Sequence, residues 1–246
     1  MVNPELRKRF VNSIEYLRKM EFFKDYSELS SEEILDKIFS GEIDYESQWF
    51  VEETRDEQGE EYIKKVWKKT PRGVILREWV ERDKEYWMKR SEYEVDLELA
   101  SFDKNRIFIE AVETIVSENI GIYLMRRLTR ISRGVFTPAD LREEEWSEWE
   151  GEAPPNVKKY VYSSYGDWTR IRVSFKFRNK EHAADFFCNR DYLVMGPAVE
   201  EINELIKDTG YQYYELPDEY FYFIVLTQDE AERLRKERGW KYVKLH

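Results

Sequence analysis

The sequence is poor in the side chains from which most metal and nucleophilic sites are built. Among its 246 residues are one cysteine, Cys188, and two histidines, His182 and His246. One cysteine cannot form an internal disulfide, and a zinc site made of Cys and His needs about four such ligands. We therefore expect no metal site and no cofactor. The lone cysteine also favours a reducing, cytoplasmic compartment.

Signatures of the common enzyme classes are missing as well. The chain contains neither G-x-x-x-x-G-K-[ST] nor G-x-G-x-x-G, the glycine-rich loops that bind phosphates. It also lacks G-x-S-x-G, and a predicted helix places His182 and Cys188 on different sides, which excludes a nucleophilic pair. Cys188 is predicted to be a core residue. The sequence leaves enzymatic activity undecided and favours a non-enzymatic role.

Long apolar runs are absent too. No stretch approaches the roughly 20 apolar residues of a membrane span, and the N-terminus lacks the basic start and apolar middle of a signal peptide. We expect a soluble protein without a membrane partner. Charged residues make up 37% of the chain and only four residues are glutamines, a composition that resembles hyperthermophile proteins.

The net charge of −11 is unevenly distributed along the chain. Residues 1–156 hold 25 Lys and Arg against 36 Asp and Glu, whereas residues 157–246 hold 15 of each. The two parts meet at residues 143–155, an acidic run that ends in glycine and two prolines and is typical of a linker. We therefore predict two domains, an acidic one at residues 1–150 and a neutral one at residues 151–246.

The predicted N-terminal domain opens with two helices. Asn3 and Pro4 suit the start of the first, and Ser30 and Glu33 form a capping box for the second, which ends at Gly41. An antiparallel meander follows, with strands predicted at residues 62–69, 74–80 and 92–99, the last because apolar and acidic residues alternate there. A long helix over residues 104–133 and a short helix over 138–149 complete this domain.

The most regular pattern in the chain lies at Thr169–Arg178. Polar residues alternate there with Ile171, Val173, Phe175 and Phe177. Period two predicts a β-strand with one apolar face, and its other face is basic.

From this strand onward, the predicted elements follow the ferredoxin-like order β-α-β-β-α-β. After the strand come a helix at residues 180–190 with a second helical piece reaching 208, strands at 211–215 and 220–227, a helix ending at Arg238, and a strand at 240–245. An additional strand is predicted at residues 157–163. The predicted fold class is therefore α+β, with N-terminal helices, a meander and a long helix followed by a ferredoxin-like unit.

The open face of such a sheet is the main candidate site. The first and third strands of a ferredoxin-like sheet are neighbours, so aromatic rings of the third strand can join the cations of the first. Rings and cations together are typical of single-stranded nucleic-acid binding. The candidate residues are Arg170, Arg172, Lys176, Arg178, Tyr220 and Tyr222. The other interpretation is a solvated or domain-docked face, because the predicted domain lacks a basic excess.

A secondary basic cluster, Arg126, Arg130 and Arg133, shares one face of the predicted long helix. These side chains either bind phosphate or interact with the helix dipole near its C-terminal end. The acidic run that begins at Glu143 is the expected source of their partners.

Three functional hypotheses result. The leading one is a non-enzymatic interaction protein that binds a protein partner or its own copy, because its 17 Tyr and 8 Trp are residues favoured in interface cores. The second is a single-stranded nucleic-acid-binding protein. The third is a carboxylate-dependent Mg²⁺ hydrolase, since acidic residues are numerous and their spacing alone does not select among them.

Overall fold

A computed structural model describes residues 2–44, 70–111, 119–161, 165–189, 192–217 and 220–242. Helices and antiparallel sheets build the molecule, which confirms the α+β class. The chain forms two compact units: unit 1 comprises Met1–Ile107 and Glu232–Trp240, and unit 2 comprises Phe108–Ala231 and Lys241–His246. This division differs from the predicted one at residue 150. Within the described ranges, no helix combines the length and apolar character needed to cross a membrane.

Unit 1 is built from helices. Those described are α1 (Pro4–Lys19), α2 (Ser31–Ser40), α3 (Arg72–Arg82), α4 (Lys84–Lys89) and α5 (Glu92–Ala100), with a 3₁₀ turn at Lys24–Tyr26. Asn3 caps α1, and the predicted capping box of Ser30 and Glu33 at the start of α2 is confirmed. The predicted end of α2 at Gly41 is confirmed as well.

A buried carboxylate connects the helices of unit 1. Asp96 of α5 is 0% exposed and accepts a hydrogen bond from Ser13 Oγ of α1 at 2.5 Å. Arg238 donates from two nitrogens at 2.6 and 2.8 Å, and Trp240 Nε1 donates at 3.3 Å. These donors offset the desolvation of the buried charge. The cluster ties α1 and α5 to residues 238–240.

Unit 2 contains two sheets among its described residues. One has the order β1 (Ile107–Ala111), β7 (Tyr220–Thr227), β6 (Tyr211–Leu216), and the other the order β2 (Ala139–Glu152), β3 (Tyr165–Phe177), β4 (Lys180–Asn189), β5 (Tyr192–Val194). The helices are α6 (Ile120–Ile131), α7 (Pro155–Lys158), α8 (Gly196–Ile206) and α9 (Gln228–Arg238), of which α9 continues into unit 1. A 3₁₀ turn at Lys207–Thr209 follows α8.

The two sheets of unit 2 share one hydrophobic core with α6 and α8. The core includes Ile171, Val173 and Phe175 from β3, Phe223 and Val225 from β7, Leu124 and Leu128 from α6, and Val199 and Ile202 from α8. The face of β3 that carries these apolar residues is thus covered by the other sheet and the helices. The basic residues of β3 lie on its opposite face.

The start of α6 lies against β2 and β3. The Glu143 carboxylate accepts hydrogen bonds from the backbone N–H groups of Asn119 at 3.1 Å and Gly121 at 2.8 Å. A negative charge at a helix N-terminus is favourable. A Cβ at Gly121 would lie 2.6 Å from Val173 Cγ2 and 2.9 Å from Ile171 Cγ2, so this close approach requires glycine.

The free edge of β6 is covered by a side chain of α8. Asn203 Oδ1 accepts a hydrogen bond from the Tyr213 N–H at 2.7 Å, and Asn203 Nδ2 donates to the Tyr213 carbonyl at 3.1 Å. The Tyr213 hydroxyl donates to the Leu128 carbonyl at 2.8 Å, inside the core. β6 is therefore held by β7 on one side and by α8 on the other.

A tight turn joins β3 to β4. Arg178 and Asn179 have φ values of 50° and 63°, and Phe177 pairs with Lys180 across the hairpin. Positive φ at both central residues is typical of a type I′ turn, whose twist suits an antiparallel hairpin. The turn reverses the chain at once, so residues 180–189 form β4 and the helix predicted over 180–190 is wrong.

Other predicted elements are also wrong. Residues 92–99 form α5, which starts with a capping box of Ser91 and Glu94. Because this helix is buried on most sides, its apolar residues alternate with acidic residues in the sequence as they would in a strand. Residues 74–80 lie in α3, where Leu76 and Val80 are buried at helical spacing. Residues 138–149 lie mostly in β2, because pairing with β3 along nearly the whole strand outweighs the helical propensity of an acidic run.

The remaining corrections concern the element boundaries. Residues 107–111 form β1, and among the described residues of the predicted long helix those at 120–131 are helical. Residues 112–118 lie outside the described ranges. The additional strand predicted at residues 157–163 overlaps α7, which covers Pro155–Lys158 and has a proline in its first turn. Trp240 to Tyr242 are not a strand, and residues 62–69 and 243–246 lie outside the described ranges. The ferredoxin-like unit is not confirmed.

Several C-terminal elements are confirmed. α8 with its 3₁₀ turn ends before Gly210, and β6 and β7 lie where predicted. Thr227 and Glu230 form the predicted capping box of α9, with bonds of 2.8 and 3.2 Å. These elements carry local start and stop signals that depend on few residues.

Candidate interaction surface

The basic strand has the predicted alternation. Ile171 and Val173 are buried in the core of unit 2, and Arg170, Arg172 and Lys176 lie on the opposite face of β3. Arg178 lies beyond the strand, in the hairpin turn. The outer face of β3 therefore presents three of the four predicted cations.

Acidic side chains neutralise this outer face. Arg172 donates from Nε and Nη2 to the two carboxylate oxygens of Asp185, at 2.8 and 2.9 Å. Asp185 is the residue that pairs with Arg172 on the neighbouring strand β4. Lys176 Nζ lies 2.7 Å from Asp140 and 4.0 Å from Glu181. The hydrogen bond from Lys176 lowers the pKa of the Asp140 carboxyl. The face is a set of cross-strand ion pairs rather than a basic surface.

The other two cations also have partners within unit 2. Arg170 Nη2 donates to Ser147 Oγ of β2 at 3.3 Å. Arg178 Nη1 contacts both carboxylate oxygens of Asp208, at 2.9 and 2.8 Å, and its guanidinium lies 5.0 Å from the ring centroid of Phe177. Arg178 therefore joins the hairpin to the segment that follows α8.

Tyr220 and Tyr222 lie in the other sheet. Both belong to β7, which pairs with β6, so the expectation that β3 and β7 are neighbouring strands is wrong. Tyr222 is only 8% exposed. Phe223, its neighbour along β7, is the residue that enters the shared core. The structure does not bring the two tyrosines and the basic residues of β3 together on one sheet face.

The secondary basic cluster does not lie on a single helix, because α6 ends between Arg130 and Arg133. Arg126 and Arg130 are exposed on the helix, whereas Arg133 follows it with φ of 58°. Arg133 Nη1 contacts both oxygens of Glu230 at 2.8 and 2.7 Å, and its guanidinium lies 4.8 Å from the ring centroid of Tyr211. Arg133 thus supports the start of α9. The described carboxylate partner of Arg133 is the capping-box glutamate, Glu230.

Side chains that could bind a metal ion are scattered over the described part of the chain. Within the described part of the chain, no group of three or more His, Cys, Asp and Glu side chains is arranged to hold a metal ion. Cys188 is buried as predicted, and burial raises the pKa of its thiol to about 12. It lies on β4, as His182 does, and not on a helix.

Exposed aromatic surface occurs on unit 1. Tyr86 and Met88 of α4 are 38% and 42% exposed. The Tyr86 ring stacks on Trp79 of α3, with centroids 5.2 Å apart and an interplanar angle of 27°. The Arg90 guanidinium lies 4.7 Å from the centroid of the Tyr86 ring. We call Trp79, Tyr86, Met88 and Arg90 the aromatic patch.

The aromatic patch rests on the core of unit 1 through Trp87. This side chain is 1% exposed and packs edge to face against Trp79, with centroids 5.0 Å apart, and against Phe10 of α1 at 5.5 Å. Trp87 and Tyr86 are neighbours on α4, so the buried ring fixes the helix that presents the exposed one. The patch is therefore held in place before any partner binds.

Polar groups fix both ends of α4. The Asp83 side chain accepts a hydrogen bond from the Tyr86 N–H at 3.1 Å and caps the start of the helix. Arg9 Nη1 donates to the carbonyl of Trp87 at 2.8 Å, and Arg9 Nη2 donates to the carbonyl of Arg90. A cation at the last carbonyls of a helix is favourable. These contacts position the short helix on α1.

Sequence reasoning missed the aromatic patch. The strand predicted over residues 74–80 separated Trp79 from Tyr86, which the structure places on two consecutive helices. The available signal was Asp83, a good N-cap residue directly before the run Lys84-Glu-Tyr-Trp.

The charge around the patch differs from that of the whole chain. Residues 72–90 contain six Lys and Arg and four Asp and Glu, whereas the chain has a net charge of −11. Two of these cations pair with carboxylates outside the range, Arg72 with Glu98 at 3.7 Å and Arg90 with Glu94 at 2.9 Å, so the helices that present the patch are close to neutral in an acidic protein.

Comparison of the chain with protein-family models, with curated proteins and with solved structures gives no match. The functional argument therefore depends on the surfaces described above.

Proposed function

We propose that this chain is a non-enzymatic interaction protein that binds a second copy of itself through the aromatic patch. The observation that carries the proposal is the pair of exposed side chains, Tyr86 and Met88, on a helix anchored by the buried Trp87. Tyr, Trp, Met and Arg are enriched in interface cores and hot spots. Rings that are already ordered lose little side-chain entropy on binding.

The charges favour a copy of the same chain as the partner. A protein with a net charge of −11 is attracted to a locally positive surface and repelled by an acidic one. Residues 72–90, with the paired Glu94 and Glu98, lack the acidic excess of the chain, so this surface repels an acidic second copy less than an acidic surface would. A different protein partner on the same patch is the other occupant that the experiment below distinguishes.

The two alternative functions have less support. Arg172, Lys176 and Arg178 each contact a carboxylate within unit 2, so a nucleic-acid phosphate would have to displace that partner. No described group of acidic side chains supports a metal-dependent hydrolase. A cytoplasmic setting is part of the proposal, supported by the single buried cysteine.

The proposal is tested by sedimentation velocity over a series of protein concentrations. We expect the native chain to form dimers as concentration rises, and the double variant Tyr86→Ser, Met88→Ser to stay monomeric, because it removes the apolar contact. The matched control is Tyr165→Ser, which removes a tyrosine of β3 that is 63% exposed. This control should associate like the native chain.

Circular dichroism should show the same helix content in all three proteins, since the substituted side chains are solvent-exposed. Association that is equally strong in the Tyr86, Met88 double variant would overturn the assignment of the patch. A native chain that stays monomeric throughout the series would overturn self-association and leave a different partner to be sought.

A further inference from the structure

The second half of β2 forms a regular strand edge. β2 is 14 residues long and lies at the end of its sheet, next to β3. Its pairing with β3 shifts in register near Ala139 and again near Glu143, but the pairing is unbroken from Glu145 to Glu152. Bulges and short length are common means by which an edge strand is kept from pairing with other chains. Residues 145–152 have neither.

Backbone groups of this edge are open to a partner. Successive residues of a strand direct their N–H and C=O groups to opposite sides, so every second one of residues 148–151 directs them away from β3. Apart from the ladder with β3, no backbone–backbone hydrogen bond among the described residues involves this stretch. The Glu152 carbonyl accepts a hydrogen bond from Trp149 Nε1 at 3.2 Å. The edge of β6, in contrast, is covered by Asn203.

Exposed carboxylates lie on one face of the same stretch. Glu148 and Glu150 are two residues apart on β2, and Asp167 of β3 pairs directly with Glu150. All three side chains are exposed, and no Lys or Arg in the described ranges pairs with them. Like charges directly opposite each other on neighbouring strands are unfavourable. The fold therefore holds two carboxylates together without a cation.

Other carboxylates of this sheet have cation partners. Asp185 contacts Arg172 at 2.8 Å, and Asp140 contacts Lys176 at 2.7 Å. The pair of Glu150 and Asp167 departs from this pattern. A cation supplied by a partner would remove the repulsion between the two carboxylates.

We propose that the edge of β2 at residues 148–152 binds an extended basic segment of another protein, which adds to the sheet as a further strand. The backbone of the segment pairs with the open N–H and C=O groups, and lysine or arginine at every second position lies over Glu148, Glu150 and Asp167. In strand addition, main-chain hydrogen bonds give affinity and side chains give specificity. A second copy of this chain is disfavoured at this edge, because acidic residues would face acidic residues.

The binding of a synthetic peptide to the full chain tests the proposal. The probe is a fluorescent peptide of about ten residues in which lysine and valine alternate, long enough to span residues 145–152. A second peptide has the same sequence with every backbone N–H methylated, so it keeps the charge and loses the donors. Fluorescence anisotropy should show that the methylated peptide binds at least roughly tenfold more weakly. Equal binding of the two peptides would overturn strand addition.

A triple variant tests the three carboxylates. Glu148→Gln, Glu150→Gln, Asp167→Asn removes their charges and keeps the side chains nearly the same size, and it should bind the unmethylated peptide roughly tenfold more weakly. The matched control is the triple variant of the exposed residues Glu15, Glu28 and Glu201 to Gln, which changes the net charge equally. This control should bind like the native chain. Equal losses in the two variants would show that the peptide follows the overall charge, and would overturn the site.

Hydrogen exchange followed by mass spectrometry locates the bound peptide. The peptide should slow exchange in fragments that contain residues 148–152 and leave α1 unchanged. Unchanged exchange at residues 148–152 would overturn the proposal. Protection of these residues by a higher concentration of the native chain alone would identify a second copy as the occupant and overturn the basic partner. These outcomes do not depend on the aromatic patch, which lies in unit 1.

Discussion

Two arginine–carboxylate pairs in this molecule have similar donor–acceptor distances and very different surroundings. In unit 1, Arg238 donates to the two oxygens of Asp96 at 2.8 and 2.6 Å. In unit 2, a single nitrogen of Arg178, Nη1, is shared between the two oxygens of Asp208 at 2.9 and 2.8 Å, whereas Arg238 uses two nitrogens. The Arg238 and Asp96 side chains are 14% and 0% exposed, whereas those of Arg178 and Asp208 are 48% and 63% exposed.

The comparison indicates that hydrogen-bond distances alone do not give the energetic importance of an ion pair. Water and salt screen the Arg178–Asp208 pair, and each side chain is well solvated when its partner is removed. Asp96 is fully buried, so removal of Arg238 leaves its carboxylate in a desolvated site, and removal of Asp96 leaves the largely buried Arg238 with the half-exposed Glu92. The following substitutions test this difference, beginning with the largest expected effect.

Asp96→Ala should lower the free energy of unfolding by about 3–5 kcal/mol, because Ser13, Trp240 and the largely buried Arg238 would lose their shared acceptor, and Arg238 would keep Glu92, which is 46% exposed. Urea denaturation of the native and variant chains measures the change. Ser13→Ala is the control, since it removes one donor and keeps the ion pair, and it should cost about 1 kcal/mol. A loss below about 1 kcal/mol for Asp96→Ala would show that burial does not distinguish the two pairs.

Arg133→Met should have an intermediate effect of about 1.5–3 kcal/mol, because the pair with Glu230 is partly buried, at 13% and 21% exposure. The same substitution at Arg126, an exposed residue of α6, serves as the control and should change stability by less than about 0.5 kcal/mol. Thermal unfolding followed by circular dichroism measures both variants. Equal losses at the two positions would contradict the structural role assigned to Arg133.

The Arg178–Asp208 pair should contribute least. A double-mutant cycle of Arg178→Ala and Asp208→Ala should give a coupling energy below about 1 kcal/mol, because both side chains are solvated. The coupling should decrease further in 1 M salt, where the Debye length is about 3 Å. Urea denaturation at low and high salt measures it, and a salt-independent coupling above about 2 kcal/mol would be incompatible with an exposed pair.

Features whose signal lies within one short stretch of the chain could be predicted from the sequence. The capping boxes at Ser30 and Thr227 are such features, and the alternation of β3 is another, because each signal is local. Residues 92–99 were predicted as a strand because apolar residues occupy every second position there. A helix that is buried on most sides, as α5 is, can also carry apolar residues at every second position. Its own capping box at Ser91 was the better signal.

Features that depend on distant segments could not be predicted in the same way. β2 is an acidic run that favours a helix in isolation, and its pairing with β3 makes it a strand. The acids that neutralise the basic face come from this strand and from β4, and both were predicted as helices. The aromatic patch combines Trp79 and Tyr86 from two helices, one of which was predicted as a strand.

The contact between Asn203 and Tyr213 has a consequence for how the sheet of β1, β7 and β6 meets other chains. The side-chain amide forms the two hydrogen bonds that the backbone of an added strand would form with β6 at this position. An extended peptide would have to displace α8 before it could pair there. A single asparagine thus protects this edge from strand addition, the first step by which exposed sheets grow into fibrils.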